Sequence, residues 1–433
     1  MKLTIIGTGF VGVTSSVVYA SFGHQVYGLD IDEQKVAALN QGQVPFYEPK
    51  LEQMLQEELQ KGSLTFTTSF QQAVSEAQIV IIAVGTPSSD DGSIDLSALK
   101  AALKQAAAYL QPQTIVAIKS TVLPGTLKLV KEIVGQICPH ELHYASLPEF
   151  LKEGSAVDDT LYPDRVVLGV EDDFTYDLLA KLHQPIQAPK LRVRPESAQL
   201  AKYASNDYLA LRIVYANVIS EICTYTGADI DEVLAIMGSE KRIGSHYWYP
   251  GLGYGGSCFP KDVKALASFL GEFMSAESNL FAFINNLNHA QPAKFLSQVE
   301  KTLGSWQNKQ VAVLGLSFKP NTDDQREAPA LAVIPALLQA GAKVKSFDPM
   351  VKEIASAAIV SHPAYEQVAS IEAAVAGADV IMVLIEWQQI VAFDFASSKE
   401  AKTQYFLDVR NQFQPAKIQA AGYIYIGNGR QVA

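Results

Sequence analysis

The sequence predicts an α/β protein built from two doubly wound, Rossmann-like domains joined by a long central helix. Three observations carry that prediction. Short apolar runs alternate with helical stretches over residues 1–190, and the same pattern returns from Gln310. A stretch nearly free of helix breakers, Glu196 to Thr226, lies between the two. The first apolar run leads straight into Gly7-Thr8-Gly9-Phe10-Val11-Gly12. Strands alternating with helices give βαβ units and a parallel sheet. At 433 residues the chain exceeds a single hydrophobic core, so two or three domains are expected.

In the first part, strands are expected at Leu3–Ile6, Gln25–Leu29, Ile79–Val84, Ile115–Ile118 and Val166–Gly169. They are apolar throughout, as in sheets covered on both faces. A helix is expected over Val13–Phe22. The stretch from Glu196 to Thr226 carries Leu200, Tyr203, Leu211, Val214, Val218 and Ile222 at helical spacing. Pro195 precedes it and Gly227 supplies a C-terminal cap. About thirty helical residues span roughly 45 Å, longer than one small domain. A second helical stretch is expected over 261–302, after the glycine-rich segment 250–258. The later strands are Val311–Leu314, Lys343–Phe347, Val380–Ile385 and Tyr405–Val409. This gives three parts: residues 1–195, 196–302 and 303–433. The two α/β parts echo each other, Ile6-Gly7 by Leu314-Gly315 and Leu29-Asp30 by Phe347-Asp348. The second part lacks the three-glycine turn, so a second dinucleotide is not expected there.

Composition narrows the function. Hydrophobic residues make up 48% and charged residues 18%, the balance of a globular enzyme. The net charge of −11 argues against a nucleic-acid partner. No apolar run is long enough for a membrane span. No signal peptide is expected ahead of the first strand. Cys138, Cys223 and Cys258 show neither disulfide nor zinc spacing, and no metal is expected. A reducing cytoplasm is the expected compartment.

The glycine turn has a dinucleotide-binding context. A strand precedes it, a helix follows, and a second strand ends in Asp30, eighteen residues after Gly12. Gly7 permits the tight turn, Gly9 admits the pyrophosphate, and Gly12 allows close helix–strand packing. The amides of Phe10 and Val11 open the helix, whose N-terminus favours an anion. A carboxylate at Asp30 accepts from both ribose hydroxyls and repels a 2′-phosphate, which selects NAD over NADP. Its plain alternative is a helix cap. Lys35 is placed to approach the ribose or pyrophosphate, or is an exposed helix lysine. Thr86 and Thr121 sit in loops after strand ends, where doubly wound sheets bind ligands, although the same residues also suit turns.

The segment Gly251-Leu252-Gly253-Tyr254-Gly255-Gly256-Ser257-Cys258-Phe259-Pro260-Lys261-Asp262 is the most informative in the chain. Its glycines let backbone approach a ligand, and Pro260 suits a first helical turn. Cys258 thus stands at a helix start with Lys261 nearby, both of which favour a thiolate nucleophile over a buried structural cysteine. Asp262 is one turn on and can handle protons. An NAD enzyme needs a nucleophilic thiol when it carries an aldehyde on to an acid through a thiohemiacetal and a thioester.

These residues, with PFYEPKL (45–51), VGTP (84–87), KSTVLPGT (119–126), LPEFLKEG (147–154), AKYASND (201–207), RIG (242–244) and FKPNTDDQREAP (318–329), resemble the UDP-glucose/GDP-mannose dehydrogenase family along essentially the whole chain. The resemblance implies oxidation of UDP-glucose to UDP-glucuronate with two NAD per turnover. It implies Cys258 as nucleophile, Lys202 and Asn206 flanking the sugar C6, and Asp262 with Thr121 and a water as general base. Lys202 and Asn206, four apart, also share one helix face, where both can stabilise an oxyanion. Glu149 would order water, and Glu153 would meet substrate or cofactor. Phe150, Leu151, Lys152, Tyr247, Trp248, Tyr249, Pro250, Gly251, Gly255 and Lys319 would contact the UDP-sugar, and Lys261 and Arg326 the NAD. Arg242 would reach the neighbouring subunit's sugar nucleotide. The helical part is then the dimerisation region of a homodimer or higher homo-oligomer. Two departures are the aromatics at 247–249, where many bacterial members carry small polar residues, and Ala328, where many carry serine. Competing expectations are a relative acting on GDP-mannose or a UDP-N-acetylhexosamine, a plain β-hydroxyacid dehydrogenase, which has no use for Cys258, and a non-catalytic NAD-binding regulator.

Overall fold

The computed structural model describes residues 1–275, 278–400 and 402–430. The chain divides into two compact units, Met1–Ser205 and Asn206–Ala433, with the boundary inside the helix Pro195–Thr226.

In the first unit, eight strands form one sheet among the described residues: β1 (Lys2–Ile6), β2 (Gln25–Leu29), β3 (Leu64–Thr67), β4 (Ile79–Ile82), β5 (Ile115–Ile118), β6 (His143–Ser146), β7 (Val166–Val170) and β8 (Lys190–Val193). Their order is β3-β2-β1-β4-β5-β6-β7-β8. The winding reverses between β1 and β4, where a doubly wound sheet opens its ligand crevice. Alternation along the strands builds two cores. Leu3, Ile5, Ile79 and Ile81 join one buried cluster, and Ile6, Val80, Ile82 and Ile118 join the other. That is the period of two expected of strands buried on both faces. The expected strands at β1, β2, β4, β5 and β7 are present, with β4 ending two residues early. The sheet is not wholly parallel, because β6 pairs with β7 antiparallel. The expected helix at Val13–Phe22 begins earlier, at Phe10.

In the second unit, the sheet runs β11-β10-β9-β12-β13-β14, with β9 (Gln310–Leu314), β10 (Lys343–Phe347), β11 (Tyr365–Gln367), β12 (Val380–Val383), β13 (Tyr405–Asp408) and β14 (Ile424–Gly427). The pairings are parallel and repeat the three-two-one-four order of the first sheet. The expected second helical stretch is two helices, Phe259–Gly271 and Leu280–Leu303. Asn279 caps the later one, accepting from the Ala282 amide, so the chain must turn before it. Residues 276 and 277 of that stretch lie outside the described residues. The long helix begins at Pro195 itself, a residue suited to a first turn, and Gly227 follows in a left-handed conformation.

Candidate active site

In the first unit, the turn after β1 is shaped by two steric demands. Gly7 has φ +98°, and a Cβ there would lie 2.8 Å from the Ala83 carbonyl group. A Cβ on Gly12 would lie 1.8 Å from the Gly7 carbonyl oxygen, so the helix Phe10–Ser21 packs too closely for any side chain. A Cβ on Gly9 would meet no protein atom within 4 Å. Gly7 and Gly12 are thus required by the fold, whereas no protein atom requires glycine at position 9. Asp30, at the end of β2, accepts from the Thr8 amide at 2.8 Å, the Thr8 hydroxyl at 2.7 Å and the Lys35 ammonium at 3.1 Å. Burial alone would raise its pKa, but these donors hold it below the usual carboxylate range. Lys35 therefore spends its charge on Asp30. These residues fit a dinucleotide carrying an unmodified 2′-hydroxyl.

The loops after β4, β5 and β6 converge in the same unit. Thr86 donates to the Thr121 carbonyl at 2.8 Å. Ser120, Thr121, Val122, Lys119, Pro148 and Lys202 are among the residues that line one pocket. Glu149 pairs with Lys202 at 2.9 Å, with side chains 7% and 4% exposed, and accepts from the Leu151 amide at 2.6 Å. Burial would raise the Glu149 pKa, but Lys202, Leu151 and Lys119 bring it below its ordinary value. Lys119 is pushed down to about 8, by burial first, with Lys202 adding and Glu149 opposing. Glu149 and Glu153 are the acids expected to order water and to meet substrate or cofactor. They lie in a non-helical segment and are buried. The Phe150 ring lies 4.0 Å from the Arg165 guanidinium carbon, while Lys152 is tied to Asp159 at 2.6 Å.

Glu48, within the PFYEPKL motif, is a residue that sequence reasoning gave no role. It is 6% exposed and accepts from the Gly154 and Ala156 amides at 2.7 and 2.8 Å. Nothing in the sequence distinguishes it from a solvated acid; its burial does. It clamps the segment bearing Glu149, Phe150, Leu151, Lys152 and Glu153.

In the second unit, Cys258 is the N-cap residue of the helix Phe259–Gly271, as expected, and is partly exposed. The Asp262 amide donates to the Cys258 carbonyl at 2.9 Å. Asp262 is fully buried and accepts from Asn206 Nδ2 at 2.6 Å on one oxygen and from Lys261 on the other. The glycine loop is braced by residues that sequence reasoning missed. Asn288 accepts from the Tyr254 amide and donates to its carbonyl, and Asn217 accepts from the Gly251 amide. Each is a buried asparagine on a mostly apolar helix face. A Cβ on Gly255 would lie 2.2 Å from the Glu327 carbonyl oxygen, and the Gly256 amide donates to the Arg326 carbonyl at 2.8 Å. The site motif and FKPNTDDQREAP therefore meet through backbone.

The remaining expected residues are placed as follows. Tyr247 adopts φ 64°, with its ring 5.7 Å from Tyr249 and 6.4 Å from Phe259. Trp248 donates to the Gly244 carbonyl and faces the Arg212 guanidinium at 3.9 Å. Pro250 and Gly251 are buried, and the Arg410 Nη1 lies 2.8 Å from where a Gly251 Cβ would stand. Lys319 lies 5.4 Å from the Phe318 ring. Arg326 pairs with Asp324 at 2.6 Å, and Arg242 is 89% exposed beside Glu240. Among the described residues, no cluster of His, Cys, Asp and Glu could hold a metal, and no helix is long and apolar enough to cross a membrane.

Three models of the UDP-glucose/GDP-mannose dehydrogenase family match the chain: its NAD binding domain over residues 1–187, its central domain over 196–290 and its UDP binding domain over 312–415. The chain is 39% identical to a UDP-glucose 6-dehydrogenase of Bacillus subtilis over 100% of this chain and 98% of that one. It is 40% identical to a UDP-glucose 6-dehydrogenase of Pseudomonas aeruginosa, covering 99% and 98%. Among solved structures it resembles a UDP-glucose dehydrogenase of Pyrobaculum islandicum, with a TM-score of 0.90 and 35% identity over 99% of this chain and 98% of that one. The cofactor is NAD. With all three of its family's domains matched in order, the chain belongs to the UDP-glucose/GDP-mannose dehydrogenase family.

Proposed function

We propose that this protein oxidises UDP-glucose to UDP-glucuronate, with Cys258 as the nucleophile of the second oxidation. The observation that carries the reading is Cys258 at a helix N-terminus in a glycine loop, one turn before the buried Asp262 with its donors Asn206 and Lys261. The curated relatives named as UDP-glucose 6-dehydrogenases support the choice of substrate.

NAD, when bound, is held by Gly7, Gly9, Phe10, Val11, Gly12 and Asp30, with Lys35, Thr86, Thr121, Glu153, Lys261 and Arg326 as further contacts, and supplies the hydride acceptor for each oxidation. The chain's own residues do the rest. Asp262, with Thr121 and a water, takes the proton of the C6 hydroxyl. Lys202 and Asn206 hold the oxygen at C6 as charge develops on it, and loss of a hydride from C6 leaves the aldehyde. The Cys258 thiolate adds to the aldehyde carbon, and that oxygen becomes the thiohemiacetal oxyanion. Loss of hydride from the same carbon leaves a thioester. Water, ordered by Glu149 and Glu153, breaks the carbon–sulfur bond and returns the thiolate. One UDP-glucose, one water and two NAD give UDP-glucuronate, two NADH and three protons.

The UDP-sugar is assigned to residues 149–153, Arg242, Tyr247 to Gly251, Gly255 and Lys319. The three-part division at 1–195, 196–302 and 303–433, a homodimer in which Arg242 reaches the neighbouring site, and a cytoplasmic location complete the reading. The test is stoichiometric. Limiting UDP-glucose with excess NAD should give two NADH per sugar, whereas one NADH per sugar refutes the reading. A panel with GDP-mannose and UDP-N-acetylhexosamines read by NADH absorbance tests the sugar.

A further inference from the structure

The second unit holds an acid that the proposed chemistry leaves unused. Asp207 follows Asn206 on the long helix and is 1% exposed. Both carboxyl oxygens are shut off from solvent and meet no hydrogen-bond partner among the described residues. The groups that face it come from other elements: Asp262 and Lys261 from the helix Phe259–Gly271, and Tyr254 from the glycine loop. The Tyr254 hydroxyl is also buried without a hydrogen-bond partner among the described residues, and Glu327 faces it too.

A buried carboxylate without donors is among the costliest groups a fold can hold, and such a group keeps its proton instead. Asp262 is the opposite case, because both of its oxygens accept, one from Asn206 and one from Lys261. Two buried carboxyls thus sit in opposite environments, one with a donor on each oxygen and one with none. Burial first, then the Asp262 carboxylate, pushes Asp207 up to about 8, against a weaker pull from Lys261.

We propose that Asp207 is a positioning residue for Asp262: it keeps a proton of its own beside the base, so that the pair carries a single negative charge and that charge stays on Asp262. The inference rests on the proposed role of Asp262 as general base. While Asp207 is neutral, Asp262 takes a proton from substrate or water and passes it on, and Asp207 is neither consumed nor reacted. Once Asp207 ionises, a second buried negative charge faces Asp262 and strengthens its hold on any proton it has taken. The base then returns slowly to its charged form, and turnover falls on the alkaline side.

The experiment compares kcat at pH 9 with kcat at pH 7, each protein against itself, in wild type, Asp207→Asn and Asp207→Ala. The wild-type ratio should fall several-fold, with an inflection near pH 8, and neither variant should show that inflection. An inflection that persists in both variants overturns the proposal. A second measurement needs no turnover. The infrared difference between wild type and Asp207→Asn at pH 6.5 should show the carbonyl stretch of a protonated carboxyl, which fades by pH 9.5. Absence of that band also overturns it. Failure of the functional reading is separate, because it appears as wild-type NADH stoichiometry and leaves the infrared band untouched.

Discussion

Replacing Glu149 with glutamine keeps the shape of the side chain and removes one charge from a buried trio. Glu149 and Lys202 lie 2.9 Å apart at 7% and 4% exposure, and Lys119 is 9% exposed beside them. Glutamine still offers an oxygen to the Leu151 amide, which Glu149 now satisfies at 2.6 Å. What disappears is the counter-charge to two lysines. Breaking a buried pair by removing one partner costs about 3–5 kcal/mol, and the retained amide contact argues for the lower end, about 3 kcal/mol. The sign of the pH dependence is fixed by the lysines. Lys119 is depressed from 10.5 to about 8 in the native protein, with Glu149 opposing that depression. Without Glu149 the folded variant holds fewer protons than folded wild type, whereas the unfolded chains are alike above the carboxylate range. The variant must therefore regain stability relative to wild type as pH rises from 7 to 9. Urea unfolding followed by circular dichroism is the assay. Trp248, Trp306 and Trp387 all lie beyond residue 205, so tryptophan fluorescence does not report on this unit. A deficit that is absent at pH 7, or that stays constant from pH 7 to 9, refutes the reasoning.

Other perturbations separate fold from ligand. Gly9→Ala meets no protein atom and should leave thermal stability alone while weakening NAD binding about tenfold or more, roughly 1.4 kcal/mol; titration calorimetry checks both arms against Gly12→Ala, which should fail to fold correctly. Asp30→Ala removes the acceptor for Thr8 and Lys35 and should erode the preference for NAD over NADP, so an unchanged ratio of kcat/KM values counts against its ribose role. Cys258→Ser should stall after the first oxidation or accumulate a covalent ester visible by mass spectrometry, and full turnover by this variant excludes the nucleophile assignment.

Strands buried on both faces were legible because they are unbroken apolar runs: Ile79 to Ile82 and Ile115 to Ile118 are buried along their whole length. The strands that escaped are short and sit mostly at sheet edges. β3, β8, β11 and β14 terminate their sheets, and β8 reads Lys-Leu-Arg-Val with no residue fully buried. An edge strand has one neighbour and little apolar cover, so pattern alone says little about it. The site shows the same division. Cys258, Asp262 and the glycines were visible because their chemistry is local in sequence. Asp207, Lys119 and Glu48 were not, since a charged residue in a helix or loop reads as solvated until its burial is known.

The two sheets share one strand order and one acid at the end of the second strand, yet only the first is matched as an NAD binding domain. Asp348 explains the difference. Its Oδ2 accepts from the Leu316 amide at 2.7 Å, the Ser317 amide at 3.2 Å and Trp387 Nε1 at 3.1 Å, and Asp348 is 6% exposed. Asp30 likewise takes the Thr8 amide, the Thr8 hydroxyl and the Lys35 ammonium on its Oδ2, but it is only partly buried. The partly exposed acid is the one proposed to serve a ligand, whereas the enclosed one holds its own loop. Hydrogen bonds to a buried charged acceptor contribute about 1.5–3 kcal/mol each, so Asp348→Asn, which turns half the acceptor into a donor facing other donors, should cost about 2–4 kcal/mol. Trp387 lies within the same network and should report the loss as an earlier fluorescence transition in urea. Affinity for NAD and discrimination against NADP should be unchanged in Asp348→Asn and altered in Asp30→Asn. A shift in NAD affinity caused by Asp348→Asn would mean that the second unit's turn also answers to the cofactor, and the division of labour argued from these two acids would be wrong.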